Sequence, residues 1–82
     1  MLNTDRYNSL VDSCRQEAVD VYNDGKYSIS RQWLSDDNGR RIPNTTVFAV
    51  YEDDDGDFPL FNTHREAKDF LWSCVMRDRG QN

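Results

Sequence analysis

The feature that most constrains the fold lies in residues 44–79, where a β-hairpin is predicted to run into a helix. Asp55-Gly56 separates two apolar runs, residues 46–52 and residues 57–61. Asp-Gly is typical of a tight hairpin turn, because glycine adopts the positive φ that such a turn requires. Residues 46–52 are apolar on both faces, which indicates a central strand or a second face that meets another element.

The helix after this hairpin is predicted from its first turn. Thr63 is followed three residues later by Glu66, the spacing of a capping box in which each side chain satisfies a backbone N–H of the other residue. The residues expected on its buried side are Ala67, Phe70, Leu71, Cys74 and Val75.

Residues 5–23 carry apolar side chains at steps of three, four and seven, which place them on one helical stripe. The members of this stripe are Tyr7, Leu10, Val11, Cys14, Ala18, Val21 and Tyr22. Gly25 stands where a glycine often ends a helix. A helix over residues 5–23 is therefore predicted.

After Gly25 the period changes to alternation, which predicts a strand over residues 26–34. Residues 35–39 end in Asn38-Gly39, a strong turn signal. Pro43 lacks a backbone donor and limits pairing in the connection that follows.

These elements predict one α+β domain over residues 1–82, in the order α-β-β-β-α. Short connections favour a three-stranded antiparallel sheet with two helices packed on one face. Trp33 and either Phe48 or Val50 would then be exposed on the other face as a contact surface.

Charge and composition limit the partners. Lys and Arg number 10 and Asp and Glu 15, which gives a net charge of −5. Such a surface repels phosphate backbones and anionic membranes and favours a basic partner. The chain begins without a charged and then apolar leader, and its apolar runs are far below the ~20 residues that cross a bilayer. A cytoplasmic protein with free thiols is therefore expected.

No catalytic, metal or cofactor site is predicted. If Gly56 took the sixth position of a calcium loop, the first and twelfth positions would fall on Tyr51 and Asn62, neither of which is a carboxylate. His64 is the single histidine, without a cysteine or serine at a recognisable spacing. Cys14 and Cys74 both lie on apolar stripes, as buried free thiols do.

One short motif resembles a known family. The segment His64-Arg65-Glu66-Ala67-Lys68, together with the α-β-β-β-α order, resembles the Lys-Lys-x-Ala-Lys start of the second helix in double-stranded-RNA-binding domains. The resemblance implies that Arg65 and Lys68 contact phosphate, with His64 as a weaker substitute.

The stronger pattern is crowding of negative charge, with carboxylates that could stand in for DNA phosphates. The candidate partner-binding residues are Asp53, Asp54, Asp55 and Asp57 at the hairpin tip, Glu17, Asp20 and Asp24 on the first helix, and Asp36 and Asp37 at the turn. Clustered charge of this kind steers a protein onto a basic groove with a steep dependence on salt.

The leading hypothesis is therefore a small cytoplasmic inhibitor, a monomer or homodimer, that blocks the basic nucleic-acid-binding surface of a larger host complex. In size and acidity the chain is similar in kind to inhibitors encoded by phages and mobile elements, including DNA mimics and anti-CRISPR or anti-restriction proteins, although no motif carries that similarity. Three alternatives stay open. The acids could serve solubility alone, the protein could be an RNA-binding module using Arg40, Arg41, Arg65 and Lys68, or it could be a small structural or oligomeric protein.

Overall fold

The computed structural model describes residues 2–52 and 58–80, which form two helices and a four-stranded antiparallel sheet. The elements are α1 (Asn3–Leu10), β1 (Arg15–Asn23), β2 (Tyr27–Ser35), β3 (Val47–Glu52), β4 (Leu60–Phe61) and α2 (His64–Gly80). The strands follow the order β1-β2-β3-β4 across the sheet. The α+β class and the order of a helix, strands and a helix are confirmed, with one strand more than the three predicted. No helix within the described ranges combines the length and the apolar character needed to span a membrane.

The additional strand comes from the segment predicted as one long helix. That prediction was wrong beyond Leu10, because α1 ends there and residues 15–23 form β1. Val19, Val21 and Tyr22 are residue types that favour strands, and β2 offers β1 a partner along its whole length. Pairing with a neighbouring strand therefore overrides the helical spacing of the apolar residues.

The helices lie on opposite faces of the sheet, which corrects the prediction that both pack on one face. Successive side chains of a strand point to opposite faces, so neighbouring positions of β2 and β3 serve different helices. The α2 face carries the cluster of Tyr27, Ile29, Val50, Ala67, Leu71 and Cys74. The α1 face carries the cluster of Tyr7, Leu34 and Val47, with Leu10, Val11, Cys14, Ile42 and Leu60 packed against it. Val50 is 2% exposed, so the expected open face is covered there by α2.

The predicted start of α2 is confirmed. Thr63 Oγ1 accepts the backbone N–H of Glu66 at 3.2 Å, which is one half of the predicted capping box. The other half differs from the prediction, because Glu66 Oε1 accepts the Thr63 hydroxyl at 2.9 Å and not the Thr63 backbone N–H. Ala67, Leu71 and Cys74 are buried as expected, whereas Phe70 is 38% exposed, with its ring 5.2 Å from that of Phe61. The predicted hairpin turn at residues 53–56 lies outside the described residues.

Thr45 stabilises the connection between β2 and β3. Its side chain is fully buried, and its hydroxyl donates to the carbonyl of Ile42 at 2.8 Å and accepts the N–H of Leu34 at 3.1 Å. One hydroxyl thus satisfies two backbone groups where the chain turns back toward β3.

We expect Thr45→Val to lower the free energy of unfolding by about 1–3 kcal/mol, because the similarly shaped valine leaves a buried donor and a buried acceptor without partners. Urea denaturation followed by circular dichroism measures the change. Thr45→Ser keeps the hydroxyl and is the matched control. Equal losses in the two variants would show that the methyl group, and not the hydrogen bonds, stabilises this connection.

Candidate functional site

Five of the nine predicted acids lie along one edge strand of the sheet or in the turns at its ends. Glu17 and Asp20 lie on β1, which is an edge strand and not the predicted helix face. Asp24 lies in the turn after β1, at one end of the strand. Because Arg15 pairs with Ser35, the turn that holds Asp36 and Asp37 lies at the other end. Nine strand residues span about 30 Å at 3.3 Å per residue.

These five residues, Glu17, Asp20, Asp24, Asp36 and Asp37, are called the acidic edge. Glu17 is half-buried and the other four are exposed. The remaining predicted site residues, Asp53, Asp54, Asp55 and Asp57, lie outside the described residues.

Two members of the acidic edge hold turns together. The carboxylate of Asp24 accepts the hydroxyl of Tyr22 at 2.7 Å and the backbone N–H groups of Lys26 at 2.9 Å and Tyr27 at 2.7 Å. Asp36 Oδ1 accepts the N–H groups of Asn38 and Arg40, both at 2.9 Å. Asp24 and Asp36 therefore have structural roles in addition to their charge.

The other members are more available to a partner. Glu17 Oε1 accepts the hydroxyl of Ser35 at a long 3.4 Å. The carboxylates of Asp20 and Asp37 make no hydrogen bond or ion pair within residues 2–52 and 58–80. Asp20 lies in the middle of β1 and is exposed.

Asp24 gives a testable dependence on pH. The hydrogen bond from Tyr22, followed by that from the Lys26 N–H, lowers the pKa of Asp24 below its ordinary value of 3.8. Because the pKa is lower in the folded protein than in the unfolded chain, the charged carboxylate stabilises the fold at neutral pH. That stabilisation is lost as the pH falls below 3.8 and through the folded-state pKa.

We expect the urea midpoint of the wild-type protein to fall more steeply between about pH 6 and about pH 3 than that of Asp24→Asn, which cannot ionise. Asp5→Asn, at an exposed position of α1, controls for the loss of one carboxylate elsewhere. Parallel pH profiles for wild type and Asp24→Asn would contradict a stabilising role for the Asp24 charge.

The two faces of β1 differ because of a β-bulge between Asp20 and Tyr22. Asp20 pairs with Ser30 and Tyr22 pairs with Ile29, so Val21 is the extra residue. Ile29 belongs to the α2 face, and both Val21 and Tyr22 line a groove on that face. The bulge thus places two neighbouring side chains on the same side of the sheet.

This β1–α2 groove, with a volume of about 520 Å³, separates the edge strand from the second helix. Ile29 and Leu71 are buried at its base, while Tyr22, 42% exposed, and Trp72, 57% exposed, stand at its sides. Its remaining lining residues are Val21, His64, Lys68 and Asp69. Sequence analysis did not predict this groove, because it placed Val21 and Tyr22 on the apolar stripe of a helix.

A second groove of about 500 Å³ lies on the α1 face and is more polar. The Tyr7 hydroxyl donates to Gln32 Oε1 at 3.0 Å, and Gln32 Nε2 donates to the Tyr51 hydroxyl at 2.6 Å. Burial raises the pKa of Tyr7 above its ordinary value of 10.0. The three polar groups satisfy one another, and this network stabilises the packing of α1.

The basic residues proposed for RNA are distributed over different elements. The guanidinium of Arg41 lies 4.3 Å from the centre of the Trp33 ring, and that of Arg31 lies 6.0 Å from it. Lys68 lines the β1–α2 groove and Arg65 is exposed in the first turn of α2. Arg40 is exposed in the turn that Asp36 holds.

Comparison with protein families, curated proteins and solved structures found no match to this chain. Among the described residues, no group of three or more His, Cys, Asp or Glu side chains is placed to hold a metal ion. The acidic edge and the β1–α2 groove are therefore interpreted from their own chemistry.

Proposed function

We propose that this protein is a non-catalytic binding protein whose acidic edge occupies a basic surface of a larger partner and thereby keeps nucleic acid away from it. The observation that carries the proposal is the placement of five carboxylate residues along and beside β1. Phosphates and carboxylates compete for the same arginine and lysine side chains, so a partner covered in this way is inhibited.

The charge of the whole molecule supports this role. With a net charge of −5, the protein approaches a basic groove faster than a neutral protein of the same size, and salt screens this steering. A cytoplasmic inhibitor of a host nucleic-acid enzyme, encoded by a phage or mobile element and of the anti-CRISPR or anti-restriction type, would use such a surface.

The test is affinity capture from nuclease-treated lysate, with wild-type protein and Asp20→Lys as parallel baits. We expect the wild-type bait to retain a nucleic-acid-binding protein that added duplex DNA and raised salt both release. The affinity of the purified partner for Asp20→Lys, measured by calorimetry, should be severalfold weaker, because a cation replaces the central carboxylate of the edge.

Asp5→Lys makes the same change of charge on α1, at an exposed position away from the acidic edge. This control should retain most of the affinity. An equal loss in both variants would show that net charge alone governs binding. Unchanged affinity in Asp20→Lys, or a partner that duplex DNA does not displace, would overturn the proposal.

Direct binding of duplex RNA is the second candidate function. The observation in its favour is the cluster of Arg31, Arg41 and Trp33, in which both guanidinium groups lie within 6.0 Å of the indole ring. Arg65 and Lys68 add two cationic side chains at the start of α2. A gel-shift titration with duplex RNA at low salt distinguishes the candidates, since tight binding that Lys68→Ala and Arg41→Ala weaken would favour the RNA-binding module.

A further inference from the structure

We propose that β1 accepts an extended segment of the partner as a fifth strand, and that apolar and basic residues alternate along this segment. The inference rests on the proposed function, because it names the kind of segment that the acidic edge binds. It adds the β1–α2 groove and the backbone of β1 to the recognition surface.

The backbone of β1 is available for strand addition. β1 forms one edge of the sheet over nine residues, and its outer side pairs with no described residue. The opposite edge strand, β4, has two residues. A long edge offers a row of unpaired N–H and C=O groups, which extended peptides use in strand addition. Proline and lysine, which commonly block such edges, are both absent from β1, and the β-bulge at Val21 interrupts the row of backbone groups at one position.

The two faces of β1 dictate what each side of an added strand carries. On the α2 face, Val19, Val21 and Tyr22 are exposed beside the β1–α2 groove. On the α1 face, Asp20 presents its carboxylate next to the small side chain of Ser30, with which it pairs. Since side chains alternate along a strand, the added segment places one set of residues at the groove and the other set at Asp20.

The groove selects apolar side chains for the first set. Its volume of about 520 Å³ lies within the range of about 300–1,000 Å³ typical of ligand pockets. Tyr22 and Trp72 are the aromatic residue types that anchor partners most strongly. The charges of Lys68 and Asp69 on the α2 side offset each other, so the groove favours apolar residues, and the carboxylate of Asp20 favours the basic residues of the segment on the other face.

Charge favours this occupant over a second copy of the protein. Two β1 strands paired antiparallel in a register centred on Asp20 would place the two Asp20 carboxylates opposite each other, and like charges on adjacent strands are destabilising. A segment with lysine or arginine at alternate positions instead places a cation beside Asp20 on the α1 face, whereas Glu17, which pairs with Trp33, lies on the α2 face. The acidic edge therefore favours pairing with a basic strand and disfavours pairing with β1 of a second copy of the protein.

The probe is a synthetic peptide of about ten residues in which valine and lysine alternate, titrated into isotope-labelled protein and followed by nuclear magnetic resonance. We expect saturable shifts at the amides of β1 and at Leu71 and Trp72, with nuclear Overhauser contacts between peptide backbone and β1. A peptide of the same composition, with its valines and lysines in two blocks, should bind at least about tenfold more weakly.

Two N-methylated peptides test the backbone pairing directly. Because N–H groups of alternate residues point to the same edge of a strand, methylation of all valines and methylation of all lysines should have unequal effects. One peptide should lose at least about tenfold in affinity and the other should bind like the parent. Equal behaviour of the two, or equal binding by the block peptide, would overturn strand addition.

Protein variants separate this inference from the proposed function. Trp72→Ala should weaken binding of the alternating peptide severalfold, whereas Met76→Ala, one turn later on α2 and 51% exposed, should not. If Asp20→Asn weakens binding and Trp72→Ala does not, the acidic edge binds the peptide and the groove does not take part. A dimer through β1 in the absence of peptide, detected by sedimentation over a range of concentrations, would overturn the choice of occupant.

Discussion

Replacing Leu34 with alanine is expected to lower the free energy of unfolding by about 2–5 kcal/mol, the range for deleting most of a buried leucine side chain. Leu34 is 0% exposed and packs with Tyr7 and Val47 between the sheet and α1. Domains of this size have about 5–15 kcal/mol of total stability, so the loss is a large fraction of it. The cavity would open on the α1 face, where no other helix can fill it.

Urea denaturation measured by circular dichroism gives the size of this effect. Leu2→Ala makes the same chemical change at a position that is 59% exposed, so its midpoint should stay close to that of the wild type. Similar midpoints for the two variants would contradict a core on the α1 face, and with it the arrangement of the helices on opposite faces of the sheet.

The elements predicted correctly are those whose signals are local. Alternation over residues 26–34 predicted β2, observed at Tyr27–Ser35, and residues 46–52 predicted β3, observed at Val47–Glu52. The capping residues Thr63 and Glu66 predicted the start of α2, at His64. Each of these signals depends on neighbours within a few residues, which the sequence contains.

The segment that was predicted wrongly depends on a distant partner. Residues 15–23 fit a helical stripe through Ala18 and Val21, and the same residues fit a strand through their valines. Pairing with β2 favours the strand over the helix. The register of this pairing runs from Arg15 opposite Ser35 to Asn23 opposite Ser28. Residues 15–23 alone contain no signal for that register.

The arrangement of the two layers has a similar explanation. The apolar residues on both faces of β3 indicated that its second face meets another element, and α1 is that element. The prediction that both helices pack on one face of the sheet did not take this indication into account. Val47 on the α1 face and Val50 on the α2 face show that the pattern itself favoured a sheet between two helices.

The candidate site was predicted only as a set of charges. Glu17 and Asp20 were predicted as partner-binding residues on the first helix, whereas the structure places them on the edge strand β1. Val21 joins the β1–α2 groove through a bulge, which shifts the alternation by one residue and leaves no sequence signal of its own. Binding surfaces that depend on strand register are therefore hard to derive from the residues alone.

Chemical labelling is expected to be much slower at Cys74 than at Cys14. Cys74 is 3% exposed and packs on the α2 face with Val50 and Ala67. Burial, and the neighbouring carboxylate of Glu52, raise the pKa of the Cys74 thiol. The reactive species is the thiolate, so labelling of Cys74 at neutral pH requires the protein to open.

Cys14 lies between α1 and β1 and is half-buried, so it should react without unfolding. We expect a thiol reagent to modify Cys74 at least about a thousandfold more slowly than Cys14, because an opening free energy of about 5 kcal/mol leaves roughly that fraction reactive. Mass spectrometry of proteolytic fragments at successive times gives both rates in one experiment, and urea above the unfolding transition should make the two rates similar.

Leu34→Ala connects the cysteine labelling rates to the stability measured by urea denaturation. If Cys74 becomes reactive only on global unfolding, a loss of about 2–5 kcal/mol in stability should accelerate its labelling about 30-fold or more, since each 1.4 kcal/mol is a factor of ten. Cys14 packs against the cluster that contains Leu34, so its rate should also rise, but by less than that of Cys74, because its reaction does not require unfolding. Equal rates at Cys14 and Cys74 in the native protein would contradict the packing of α2 on the sheet, and the β1–α2 groove would then lose the helix that forms its second wall.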